Sequence, residues 1–366
     1  MSDEKSNPYL SAGPKSFWRT GVFDNISQIN YEIYSKKFEI NKQDKIATAG
    51  SCFAQHIGGR LRGNKFNVLD YEPIRNLAIL KDDKTLVDPS DYSAKYGNIY
   101  TVRQLLQLVK EAFVISTPEN IVWQNQDGKF IDSLRPGIFP DGFDSPEEVL
   151  FHRKFHISRV RALFEDMDLF IFTLGLTEAW RHKKSGTIYP MVPGSIGGEF
   201  DADIYEFVNF TYEEIKNDLI EIMSIIDSAT FKKKYLFTVS PVPLTATATD
   251  EHVMVATTYS KSVLRAVAGD LYNQFSNIDY FPSYEIVINP WTSTPKYANN
   301  QRSVLSSAVD EVMKIFLNQH DHGYIDTNIA NQNSPQSDFS TGSKNEDAAD
   351  AFCQEILLEL LNKNKK

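Results

Sequence analysis

Short unbroken apolar runs take turns, along most of this chain, with longer segments that carry an apolar residue every three to four positions. The clearest run is Asp168-Leu169-Phe170-Ile171-Phe172-Thr173-Leu174, of strand length and apolar nearly throughout. That is the pattern of a central parallel strand covered on both faces. Tyr235-Leu236-Phe237-Thr238-Val239 repeats it, and strands are also predicted at Lys45-Ile46-Ala47-Thr48-Ala49, at Phe66-Asn67-Val68-Leu69-Asp70-Tyr71 and over 278–288. Helical spacing fills the intervals. One helix follows Gly50-Ser51 as far as Gly58-Gly59, and another runs from Val102 to Ile115. Further helices are predicted over 146–165, 212–227, 260–275 and 303–317. In the 212–227 segment Ile215, Leu219, Ile222, Met223 and Ile226 share one face. Strands alternating with helices at these intervals predict an α/β fold, a doubly wound parallel sheet in a three-layer sandwich.

The flanks read differently. Residues 1–40 scatter Tyr9, Phe17, Trp18, Phe23, Tyr31 and Tyr34 among polar positions, as expected of an arm wrapped on the main domain at 41–320. Residues 116–150 are rich in Pro, Gly, Asp and Asn and predict a loop-rich insertion. Residues 321–345 form a polar linker, and Ser343-Lys344-Asn345-Glu346 has the spacing of a capping box. It opens a C-terminal amphipathic helix over 346–366 whose apolar part reaches Leu361.

Charge narrows the partners. The 366 residues carry a net charge of −10, so nucleic acid is a poor partner by default. The one compact basic run, Phe231-Lys232-Lys233-Lys234-Tyr235, precedes an apolar strand and reads as an edge cap. No apolar stretch has the length of an integral membrane segment, and Met1-Ser2-Asp3-Glu4-Lys5-Ser6 has no signal-peptide core. Two cysteines, Cys52 and Cys353, suit free thiols in a reducing compartment, and the expected location is cytoplasmic. No cofactor is called for.

Chemistry in an open α/β sheet belongs at the carboxyl ends of the strands. Three ends carry suggestive residues: Gly50-Ser51, Gly175-Leu176-Thr177-Glu178 and Ser240-Pro241-Val242-Pro243. A serine at a strand-to-helix turn has an exposed hydroxyl for nucleophilic attack and a helix N-terminus to help hold an oxyanion. The alternative is that Ser51 simply caps the helix. Cys52 is a rival nucleophile, or a small packing residue.

Gly50-Ser51-Cys52-Phe53-Ala54 resembles the signature of the GSCFA-domain family, which is grouped with the SGNH (GDSL-like) esterases and acyltransferases. Further blocks look like the family's in the same order: Gly97-Asn98-Ile99-Tyr100-Thr101, Asp132-Ser133-Leu134-Arg135-Pro136, Thr173 to Trp180, Val239 to Thr245 and Tyr280 to Ile286. The resemblance implies serine-dependent ester chemistry, as an esterase or an O-acyltransferase, on a small-molecule or carbohydrate ester. It makes Ser51 the nucleophile and Gly97 an oxyanion donor, with Asn98 beside it. Thr177 stands where that superfamily has an asparagine, and Glu178 is a polar neighbour. The Asp-x-x-His block before the last helix is replaced by Asn300-Gln301-Arg302-Ser303.

A serine needs a base, so the seven histidines matter. His252 follows a strand end and ranks first. His56, five residues past Ser51, is the alternative. His152 and His156 have i, i+4 spacing, which suits a metal, but with no third ligand in sequence they read as a helix-surface pair, and no metal is expected. His182 follows the third block and could line the pocket, while His320 and His322 read as solvated. Ser260-Lys261 are adjacent on a helix, face different directions and are discounted as a pair. The rival to an enzyme is a degenerate SGNH domain that binds a glycan or a partner without turnover.

Overall fold

A computed structural model describes residues 7–26, 29–73, 92–139, 141–292 and 294–321. The linker from residue 322 and the C-terminal helix predicted over 346–366 lie outside the described residues. The chain first makes short 3-10 turns and a single helical turn, α1 (Trp18–Gly21), before β1 (Ile46–Gly50) and α2 (Cys52–Gly63). Next come α3 (Val102–Ala112), the hairpin β2 (Val122–Gln124) and β3 (Phe130–Asp132), and α4 (Pro146–Asp166). β4 (Leu169–Leu174) leads into β5 (Glu178–His182), β6 (Ile188–Tyr189) and β7 (Tyr205–Asn209). Then follow α5 (Tyr212–Ala229), β8 (Lys234–Val239), α6 (Val253–Gln274), β9 (Ile278–Tyr280), α7 (Ser283–Val287) and α8 (Ser306–His320).

The central sheet has the order β1-β4-β8-β9, and every pairing is parallel. Outside β1 the predicted second strand shrinks to one parallel bridge, Ile46 to Val68. The chain curls there, because the Val68 N–H bonds to Phe66 O and the Asn67 N–H to Lys42 O rather than along a ladder. The strand predicted over 278–288 ends at Tyr280. Pro282 has no N–H to donate, and Ile286 and Val287 are buried from a helix instead. A separate antiparallel sheet, β6-β5-β7, was not foreseen.

Helices cover both faces. Phe170, Phe172 and Leu174 of β4 point into the core shared with α3 to α6, whereas Leu169 and Ile171 point into the core shared with α2, α7 and α8. All six residues of β4 are buried. Removing each large apolar side chain from water is worth roughly 1.5–3 kcal/mol, so this strand anchors both layers. α5 buries Ile215, Leu219, Ile222, Met223 and Ile226 as its periodicity predicted, and a capping box from Thr211 to Glu214 fixes its start.

The basic run is structural. Lys233 is buried, with its Nζ donating to Glu165 O at 3.0 Å, and Lys234 Nζ donates to Glu39 O at 3.0 Å. Among the described residues no helix is long and apolar enough to cross a membrane. The chain lies on one side of β1 at Val68 and returns on the other at β4, so the winding reverses between β1 and β4. Crevices open at such reversals, above the carboxyl ends of the two strands.

Candidate active site

Ser51 stands at that reversal. Gly50 ends β1 with φ +143°, a conformation glycine adopts freely, and a Cβ there would lie 2.5 Å from Thr173 O. That turn delivers Ser51 to the N-terminus of α2, at the N-cap position. Its side chain makes no capping hydrogen bond, and Oγ is buried with no partner among the described residues. A serine retained as a cap would donate or accept there, so capping does not explain this residue. Thr48, Thr173 and Thr177 also have buried hydroxyls without partners on the adjoining strands and loop.

The 92–100 segment is stitched over the strand end. Ile99 N donates to Gly50 O, Thr48 N to Ser93 Oγ, and the Tyr96 hydroxyl to Thr48 O. The Tyr92 hydroxyl lies 2.6 Å from Asn98 Oδ1 and 3.0 Å from Ser51 O. This contact orients the amide, so Asn98 Nδ2 donates to the Tyr100 hydroxyl at 3.2 Å and keeps a second N–H. Gly97 has φ +69°. Among the described residues no acceptor is found for the backbone N–H of Gly97 or of Asn98, although both residues are buried. Buried amides without acceptors are rare, and here two of them adjoin an amide side chain tied to Ser51.

The third block closes the other side. A Cβ on Gly175 would sit 3.3 Å from Ser51 Cβ and 2.7 Å from Tyr100 O, so only glycine lets the loop pass. Leu176 N donates to Tyr100 O at 2.7 Å. Thr177 lies a layer deeper than the rim, fully buried, with its N–H donating to Ser260 Oγ at 3.0 Å. Glu178 turns toward the loop after β8, where Thr247 Oγ1 donates to Glu178 Oε1 at 2.8 Å. Lys261 is buried beside Ser260, and its Nζ donates to Gly175 O at 2.7 Å. Ser260 and Lys261, discounted in the sequence, thus both hold the Gly175–Thr177 loop. Tyr92 and Tyr100 were not singled out either. Their only sequence signal is position, flanking Gly97-Asn98.

The histidines stand apart from the serine. His252 is the exposed N-cap of α6, its Nδ1 accepting from Met254 N at 3.1 Å. In that tautomer the proton is on Nε2. His56 is half-buried against Phe53, and burial, then Arg60, lowers its pKa. His156 is not on the surface. It is 1% exposed, with Nδ1 2.7 Å from Glu72 Oε2, while His152 packs among Phe139, Phe143 and Phe151. His182 meets Asn120 and Ser185, and His320, also buried, meets the Tyr34 hydroxyl. His322 lies outside the described residues. Among the described residues no group of three His, Cys, Asp or Glu could hold a metal ion. Where the resemblance puts Asp-x-x-His, the turn before α8 carries a buried Arg302.

A buried ionic cluster supports the Gly97 segment from behind. Asp132 bonds to Arg135 Nε at 2.8 Å and to Arg153 Nη1 at 3.0 Å, and Arg153 also pairs with Glu111. Burial pushes the Asp132 carboxyl up, but Arg153 and Arg135 together outweigh it and hold the pKa at about 2. Arg135 Nη1 then donates to Lys95 O at 3.1 Å, and Lys95 N donates to Glu72 Oε2 at 2.7 Å. A cavity of about 660 Å³ lies elsewhere, between the N-terminal arm and the β9 edge, and none of the candidate catalytic or oxyanion residues lines it.

Comparison with known protein families matches residues 45–316 to the GSCFA family. The match spans well over half of the chain, which therefore belongs to that family. A search of curated proteins finds no match.

Proposed function

We propose that this GSCFA-family chain carries out serine-dependent acyl chemistry at Ser51, as an esterase or an O-acyltransferase of the SGNH kind. The observation that carries the proposal is the state of Ser51: at the winding reversal, on a helix N-terminus, with a hydroxyl that serves no structural bond. In the reaction Ser51 Oγ attacks the acyl carbon. The Gly97 and Asn98 N–H groups and the second Asn98 Nδ2–H receive the oxyanion, in a site where such donors act at full strength. Collapse of the tetrahedral adduct breaks the bond from the acyl carbon to the leaving alcohol, which departs with the proton taken from Ser51; the acyl group on Ser51 then passes to water or to a sugar hydroxyl, whose proton returns to Ser51 Oγ. His252 takes the serine proton after its ring leaves Met254 N, which frees a nitrogen lone pair. Ser51 Oγ has almost no accessible surface, so substrate enters only when the covering segments part.

A second reading rests on the same geometry. Among the described residues no histidine hydrogen-bonds to Ser51, which favours a domain that binds without turnover. Incubation with a fluorophosphonate probe and with p-nitrophenyl acetate, followed by peptide mapping, separates the two. Labelling of Ser51 that is lost in Ser51→Ala supports the enzyme, and an unlabelled Ser51 supports the binding module.

A further inference from the structure

Behind the Gly97 segment, on the far side of the ionic cluster, a cavity of about 410 Å³ opens beside α4. Its lining combines aromatic walls, Phe139, Phe151 and Phe155, with the cationic groups Arg135, Lys95 and Arg159. Arg135 is 4% exposed, yet among the described residues its hydrogen bonds use only Nε and Nη1, and Nη2 has no partner there. Among the described residues Arg159 makes no ion pair; it lies over the Phe155 ring, 4.8 Å from the centroid. Glu72, the one carboxylate among the described residues that line the cavity, is already engaged by His156 and by the Lys95 N–H. Unpaired guanidinium N–H groups beside a carboxylate that is already hydrogen-bonded favour an anion, because each new pair is a charge-assisted hydrogen bond. The phenylalanines favour an apolar body attached to it. Two pKa directions agree with a positive field: His152 and His156 are both lowered, by burial first and by Arg135 next.

We infer that this cavity is a binding site for an amphiphilic anion, a carboxylate or phosphate carried on an apolar chain. It goes beyond the proposed chemistry at Ser51 and does not depend on it. The anion meets Arg135 Nη2 and Arg159, and the chain lies along Phe139, Phe151 and Phe155. Because Arg135 also holds Lys95 O, two residues before Gly97, an occupant touches the support of the Gly97 segment.

Isothermal titration calorimetry on the full chain tests this with decanoate, decyl phosphate, decanol and inorganic phosphate. Both amphiphilic anions should bind at one site, and decanol and inorganic phosphate at least about tenfold more weakly. Arg159→Ala and Phe155→Ala change exposed residues and should each weaken the anions about tenfold, with the melting temperature unchanged. Flotation with phosphatidylcholine vesicles, with and without phosphatidic acid, identifies the source. Recruitment that requires phosphatidic acid and Arg159 places the anion on a lipid surface. Binding of decyl phosphate without recruitment makes it a free amphiphile. Equal affinity for decanol and decanoate, an unaffected Arg159→Ala, or no binding of either anion overturns the inference.

Discussion

Acidification should destabilise this protein through one buried imidazole. His156 sits on α4, 1% exposed, against Glu72 and beneath Arg135. Burial disfavours its charged form, Arg135 adds repulsion, and the attraction of Glu72 does not compensate, so its pKa falls to about 4. In the unfolded chain an imidazole titrates near 6.5. The unfolded state therefore binds the extra proton first as pH drops. The stability contributed by the neutral ring is complete above about pH 6.5 and is lost progressively down to about pH 4. Each full unit of that window is worth about 1.4 kcal/mol, so moving from pH 7 to pH 5 should cost about 2 kcal/mol through His156 alone. Burial lowers His56 and His152 as well, with the same sign, so the total loss is larger. The Glu72 carboxyl, held below its ordinary range, adds its loss only at lower pH. Urea unfolding of the wild type and of His156→Gln at pH 7 and pH 5 isolates the effect. The glutamine keeps a donor for Glu72 and does not titrate, so its loss should be smaller by about 2 kcal/mol. Equal losses in the two proteins would refute a buried neutral His156.

Ser51→Ala should lose all labelling yet keep or raise the melting temperature, because it deletes a buried hydroxyl that bonds to nothing. Asp132→Asn leaves Arg135 and Arg153 without their shared carboxylate and should cost about 3–5 kcal/mol by urea unfolding; a loss under about 1 kcal/mol would show that the cluster is solvated. Gly175→Ala forces a Cβ to within 2.7 Å of Tyr100 O and should cost about 1–3 kcal/mol along with the Ser51 labelling rate. His252→Ala removes the α6 cap, worth about 1 kcal/mol. It should also abolish the acyl chemistry at Ser51, whereas activity that survives there and vanishes in His56→Ala moves the base to α2.

Where one physical effect dominated, the sequence was a good guide. Leu169–Leu174 and Lys234–Val239 are buried on both faces, so their apolar runs identified them, and the α5 stripe followed from a single covered face. The antiparallel sheet escaped because Glu178–His182 is only half-buried and mixes charge with aromatics, a pattern shared by loops. The turn at Gly50-Ser51 was legible because a strand-length apolar run ends there and helical spacing follows. Its surroundings were not. Glu72 and His156 lie 84 residues apart in sequence, and a run of charges on a helix such as α4 ordinarily faces water. His156 and Arg153 look like surface positions until the Asp132 and Glu72 segments fold over them. The structural role of Lys261 was illegible for the same reason, since only the fold places the Gly175 carbonyl within its reach.

The pairing of β1 with β4 also constrains how the chain is made. Lys45 N, at the start of β1, finds its acceptor on Asp168, 123 residues later. At about 5–20 residues per second, a ribosome takes roughly 6–25 s to supply that partner. Throughout this interval β1 emerges as an orphan, able to meet only the short Val68 segment. Its sequence is Ile-Ala-Thr-Ala-Gly, whereas β4 is Leu-Phe-Ile-Phe-Thr-Leu and β8 is Lys-Tyr-Leu-Phe-Thr-Val. The strand that waits is made of small residues with little tendency to stick to another nascent chain. The adhesive aromatic strands β4 and β8 are made later, so each finds a native neighbour, β1 or β4, already synthesised when it leaves the ribosome.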